Sequence, residues 1–92
     1  MRTIIEEDSF AEAMEALGGA VVVDLCLSSI YPGLMTNPYG YKLHETQFTS
    51  FRYAVTLGVD WPNLSVPPLV VIFTIDEDEN VHLQHVEVFS TI

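Results

Sequence analysis

Residues 69–89 read "LVVIFTIDEDENVHLQHVEVF". The first seven, Leu69 to Ile75, are apolar at odd and even positions alike, with only Thr74 polar. Such a run predicts a central strand covered on both faces. Asp76, Glu77, Asp78, Glu79 and Asn80 then interrupt it. The β pattern resumes at Val81 and runs to Phe89. Its alternation slips, because Val81 and Leu83 share one face whereas Val86 and Val88 share the other. One extra residue near Gln84-His85 explains the switch, so a β-bulge is expected there.

The acidic connection invites a metal reading. Asp76, Asp78 and Asn80 fall at the first, third and fifth positions of a calcium-loop pattern, and Glu87 falls at its twelfth. That loop needs a helix on each side and a glycine at its sixth position. Here β-patterned runs flank it and Val81 stands at the sixth. The segment therefore reads as a hairpin turn with solvated charges, and no metal is expected. The charges also discourage aggregation beside a very apolar strand.

Upstream, Phe51, Tyr53, Val55 and Leu57 alternate with Ser50, Arg52, Ala54 and Thr56, which predicts a strand with one buried face. Gly58 to Pro68 reads as a loop, because Pro62, Pro67 and Pro68 exclude a central strand. At the start, Arg2-Thr3-Ile4-Ile5 reads as a short strand. Ser9-Phe10-Ala11-Glu12 has the form of a capping box. Phe10, Ala13, Met14 and Leu17 follow at helical spacing, and Gly18-Gly19 ends the helix. Val23, Leu27, Ile30 and Leu34 are also spaced helically, although Val21-Val22-Val23 suits a strand equally. The expected second helix runs from Ala20 to Tyr31, with Pro32 ending it. Asn37-Pro38-Tyr39-Gly40 reads as a loop. The whole is a single α+β domain over 1–92: a strand, a helical hairpin, then a three-stranded antiparallel meander, with the helices packed on one face of the sheet.

Charge bounds the partners. The 92 residues hold 13 Asp and Glu against 3 Lys and Arg, a net charge of −10. Nucleic-acid affinity comes largely from Lys and Arg displacing counterions, so free DNA or RNA is not expected as a partner. A basic protein partner or mimicry of nucleic acid fits, as does solubility alone. Residues 25–41 are uncharged, but their Ser, Pro, Gly, Thr and Asn break any spanning helix. Glu6, Glu7 and Asp8 stand where a secretory apolar region would lie, so a cytoplasmic location is expected. Cys26, the single cysteine, reads as a small core residue.

Few residues suit chemistry. His82 or His85 would act as a general base with Glu87 as its orienter. The plainer reading makes both edge-strand histidines bonded to backbone or water. No zinc cluster or cofactor motif assembles. Phe48, Phe51, Tyr53, Trp61 and Phe73 read as core and loop-packing residues, because a base-stacking platform needs a positive groove and only Lys42 and Arg52 lie near.

The order of elements, together with "NPYGYKL", "FRYAV" and "PPLVVIFTIDEDENVHLQHVEVF", resembles the RelE/ParE superfamily of small toxins from type II toxin–antitoxin modules. "LVVIFTID" is similar to that family's "YRVIYEID", and "VHLQHVEVF" to its closing V-x-V-x-x-V-x-H-R. The resemblance covers most of the chain. It implies a helical hairpin on a sheet and an antitoxin as partner. It also implies, for ribonuclease members, cleavage of messenger RNA on the ribosome; other members act on gyrase. Lys42 and Arg52 match basic positions, and His85 and Glu87 lie near the closing motif. Val70, Phe89 and Ser90 stand where the family often has arginines. A phosphorane-like charge needs cations around it, so weak or absent RNA cleavage is expected. A second reading is a small acidic binding protein that inhibits a nucleic-acid-handling machine. Acids contiguous on one face would favour that reading, and a homodimer formed through a sheet edge or apolar patch also fits.

Overall fold

The structure, a computed structural model, describes residues 2–18, 24 and 27–89. The strands are β1 (Ile4–Glu6), β2 (Lys42–Glu45), β3 (Ser50–Val55), β4 (Val59–Trp61), β5 (Leu64–Val66), β6 (Leu69–Ile75) and β7 (Val81–Val88). The helices are α1 (Asp8–Ala16) and α2 (Tyr31–Thr36), with a 3-10 turn over Pro38–Gly40. The fold is mixed α+β. One sheet has five strands in the order β1-β7-β6-β3-β2, and β4 and β5 form a separate hairpin. β1 runs parallel to β7, whereas the remaining pairs are antiparallel.

The core lies on one side of this sheet. Leu69, Val71 and Phe73 of β6 are buried there with Val81, Leu83 and Val86 of β7. Phe10 and Met14 of α1, Leu34 of α2, and Leu27 and Ile30 belong to the same cluster. Each large side chain taken fully from water contributes ~1.5–3 kcal/mol. The other side of the sheet is different. Val70, Ile72 and Thr74 all retain partial exposure, so among the described residues β6 is central but fully covered only on its Leu69 face. The reason is layering: the buried residues of α1 and α2 all join the cluster on the Leu69 side.

Register fixes which face of β3 is inward. Ala54 stands opposite Val71, so Ala54 and Thr56 point into the core. Phe51, Tyr53 and Val55 therefore point outward. Of the aromatics read as core or loop packing, Phe73 is core, whereas Phe48 is 87% exposed and Trp61 is 55% exposed. The inward space at β3 is filled by other groups. The ring of Tyr41 meets Phe73 edge-on at 5.8 Å. The amide of Leu69 donates to Thr56 Oγ1 at 2.9 Å, and the amide of Thr56 donates to the Leu69 carbonyl at 2.8 Å.

The bulge lies where the parity switch placed it. Ile72 is opposite His85 and Phe73 is opposite Leu83, which leaves Gln84 as the extra residue. Several local readings are corrected. α1 starts at Asp8, with Glu7 as its N-cap and no side-chain cap. Ser9 lies inside the first turn, and its hydroxyl donates to the Gln84 carbonyl instead of capping. The amides of Phe10 and Ala11 already bond the Glu7 carbonyl, so the helix begins before the capping box. Gly18 takes the left-handed conformation (φ 113°) just past α1. Pro32 sits in the first turn of α2 rather than ending a helix, because a missing N–H costs nothing there. Gly58–Pro68 is no simple loop. Trp61 pairs with Leu64, so Pro62-Asn63 turn a hairpin, and Val66 reaches the core. β2 was not anticipated, since Lys42–Glu45 is exposed throughout and shows no apolar alternation. It forms because the 46–49 turn folds it back on β3, with the amides of Phe48 and Thr49 donating to Thr46 Oγ1. Half of the helix expected over Ala20–Tyr31 falls outside the described residues, as do Gly19 and Cys26, and its expected end is corrected: residues 28–30 form a turn and Tyr31 opens α2. Asp24 and Leu27 are helical. No described helix is long and apolar enough to cross a membrane.

Candidate functional site

The most elaborate polar centre is built around His82. This residue lies on β7, which is interior because β1 flanks it on one side and β6 on the other. Nδ1 of His82 is 2.6 Å from Glu7 Oε1, and Nε2 is 2.7 Å from Asp76 Oδ2. Glu7 is the N-cap of α1, and Asp76 opens the β6–β7 turn. That turn is held by Asp76 Oδ1, which accepts from the amides of Asp78 and Asn80. Glu79 takes φ 65° to close it. The acidic connection is thus a turn, and no group of His, Cys, Asp or Glu placed to hold a metal occurs among the described residues.

Each carboxylate favours a proton on the nitrogen it faces. The pKa of His82 is raised, first by its bond to Asp76 and then by its bond to Glu7. The pKa of Asp76 is lowered, first by His82 and then by the Asn80 amide. Both ring nitrogens are engaged by carboxylates, which leaves neither open to a substrate, so His82 is placed as a clamp between α1 and the turn. It is bonded to side chains on an interior strand, which corrects the reading of an edge-strand histidine bonded to backbone or water. Sequence reasoning paired the histidines with Glu87. The contact to Glu7 spans 75 residues and depends on the parallel β1–β7 pairing, which no local pattern announces.

The four residues carried over from the family resemblance divide between two faces. Arg52 stands opposite Phe73 and Leu43, on the helix side. Its Nη1 donates to the carbonyls of Tyr39 at 3.2 Å and Tyr41 at 2.9 Å, and its guanidinium lies 5.4 Å from the centre of the Tyr39 ring. A hollow of about 400 Å³ opens beside it, lined by Tyr39, Leu43 and Ser50 among others. Lys42 stands opposite Tyr53, Tyr53 opposite Ile72, and Ile72 opposite His85. Lys42 and His85 therefore share the outer face but lie three strand spacings apart, ~14 Å. His85 and Glu87 do meet, at 3.6 Å, and both are largely exposed.

Arg2 was missed by the sequence reading. Its Nε donates to the Glu79 carbonyl at 2.9 Å, and its Nη1 to the carbonyls of Met35 and Thr36 at 3.1 Å. It ties the last turn of α2, where carbonyls lack helical partners, to the acidic turn. Tyr31, at the start of α2, has its hydroxyl pushed up to about 12, by burial first and then by Glu6 and Asp24. Comparison of the chain with family models, with curated proteins and with solved structures gives no match.

Proposed function

We propose that this chain is a RelE/ParE-like protein of a toxin–antitoxin module, with weak or absent ribonuclease activity, that works in the cytoplasm through a protein partner. One observation carries the weak-or-absent activity. Arg2 and Arg52 are held on backbone carbonyls, and Lys42 lies across the sheet from His85 and Glu87. Phosphoryl chemistry needs cations converging on the transferring group, and here they diverge. The element order supports the family reading: a short first strand, a helix over Asp8–Ala16, and later β3, β6 and β7 in antiparallel succession. The edge of β2 suits an antitoxin segment that adds a strand, and an acidic surface favours a basic segment.

A second reading, a small acidic inhibitor of a nucleic-acid-handling protein, draws support from one feature. Glu7 and Asp76 meet at His82, which gathers Glu6 to Asp8 and Asp76 to Glu79 at one end of the sheet. Induced expression in bacteria separates the readings. The wild type is expected not to arrest growth, and the purified chain to leave ribosome-bound messenger RNA intact. Growth arrest that disappears in a Lys42→Ala, Arg52→Ala, His85→Ala variant would show an active toxin and overturn the weak-activity reading. Binding to basic nucleases that survives moderate salt, with no affinity for a basic strand-forming peptide, favours the inhibitor.

A further inference from the structure

We infer that the uncovered face of the sheet, centred on Tyr53 and Ile72, packs against the same face of a second copy of this chain. This stands apart from the toxin–antitoxin reading, whose partner pairs with the edge of β2. The register places Phe51, Tyr53 and Val55 of β3 beside Val70 and Ile72 of β6 on this face. Val55 is 42% exposed, and the other four are partly buried with none fully covered. An apolar surface spanning two central strands is unusual on a lone domain and marks an interface.

Charge selects the occupant. A chain of net charge −10 repels its own copies. The outer face is where that repulsion is least. Pairing brings Lys42 and Glu87 to it with three imidazoles, and the Glu7 and Asp76 carboxylates reach it at His82, so it holds three of the 13 acids. His82 already has two carboxylate partners. A basic partner would be drawn to the acid-rich end instead.

The two charges also fit a two-fold arrangement. Lys42 is on β2, at one border, and Glu87 is on β7, toward the other. A two-fold axis along β6 lays β3 of one copy over β7 of the next and β2 over β1, so each Lys42 comes beside His85 of the other copy, two residues along β7 from Glu87. An isologous interface needs this self-complementarity. Extent agrees as well. Five strands at ~4.8 Å and three side-chain rows at ~6.8 Å give a flat footprint of roughly 500 Å². Pleat and side-chain relief bring that toward the ~800 Å² per partner of a standard interface. Two such faces stack ~10 Å apart, as sheets do in sandwiches.

Sedimentation equilibrium over a concentration series tests this. The wild type is expected to reach twice the mass of the chain, and added salt to tighten the dimer by screening the repulsion. Ile72→Lys is expected to weaken the dimer at least ~100-fold by placing an ammonium at the centre of the interface. Lys42→Glu is expected to weaken it ~10-fold, and Lys42→Glu with Glu87→Lys to restore it. The restored double variant excludes misfolding as the cause, and circular dichroism checks each single variant. A wild type that is monomeric at ~100 µM overturns the inference, including the case in which only a different protein shields this face. A dimer indifferent to Ile72→Lys overturns it too, because the contact then lies elsewhere, for example at the edge of β2.

Discussion

Val70 and Val71 are adjacent, chemically identical and on opposite faces of β6, so one pair of substitutions tests the layering of the whole domain. Val71 is fully buried, whereas Val70 is not. Val→Ala removes two methyl groups. At ~0.8 kcal/mol for each buried carbon the transfer loss at Val71 is ~1.6 kcal/mol, and an unfilled cavity raises it to about 2–3 kcal/mol. At Val70 up to a third of that surface stays in water and no closed cavity is left, so the expected loss is about 1 kcal/mol. The difference is about 1.5 kcal/mol. A domain of this size has a urea slope of ~1 kcal/mol/M, so the two midpoints should differ by ~1.5 M. Urea unfolding followed by circular dichroism at low protein concentration reads this directly. Equal losses would refute one-sided cover and return β6 to a strand covered on both faces. Repeating the titration at high protein concentration extends the test. If copies pack through the outer face, the loss at Val70 grows with concentration while the loss at Val71 stays constant.

The His82 clamp predicts a pH profile. His82 has a raised pKa in the folded chain, so its contribution is complete below the ordinary value of 6.5 and fades as pH rises through the folded value. Asp76 has a lowered pKa, so its contribution is present above the ordinary 3.8 and is lost as pH falls through the folded value. Stability should therefore peak between those limits, and urea midpoints should decline from pH 6.5 upward in the wild type but not in His82→Ala. A decline that persists in His82→Ala would refute the clamp. Thr56 offers a separate check on the β3–β6 seam. Thr56→Val keeps the shape but leaves the buried Leu69 amide without its acceptor, a loss of about 1–3 kcal/mol, whereas Thr56→Ser keeps the bond and should cost less. Equal urea midpoints for the two variants would show that the bond does not matter.

Much of the chain was legible because its signals are local. A period of two marks strands, and the step from Leu83 to Val86 betrays an extra residue without any knowledge of the neighbours. The stripe Phe10, Ala13, Met14, Leu17 followed by glycine marks a helix and its end. An acidic run between two apolar runs marks a turn. Each of these depends on groups a few residues apart.

Other features depend on partners distant in sequence. Period two divides β3 into two faces but does not say which one the helices cover. Pairing of Ala54 with Val71 turned the small residues inward and left Phe51 and Tyr53 outside. The same layering left Val70 and Ile72 partly exposed, although their composition suggested a strand enclosed on both sides. β2 carries no pattern of its own and exists because β3 offers it a ladder. The parallel docking of β1 made β7 an interior strand and carried Glu7 to His82 across 75 residues. Arg52 found the carbonyls of Tyr39 and Tyr41, and Arg2 those of Met35 and Thr36, because the fold placed bare carbonyls beside them. Strands, turns and helix ends were set by the sequence itself through short-range sterics and hydrogen bonds. The choice of inner face, the partners of each charged side chain and the separation of Arg52 from His85 and Glu87 came only with tertiary packing, because burial is decided by which layers meet.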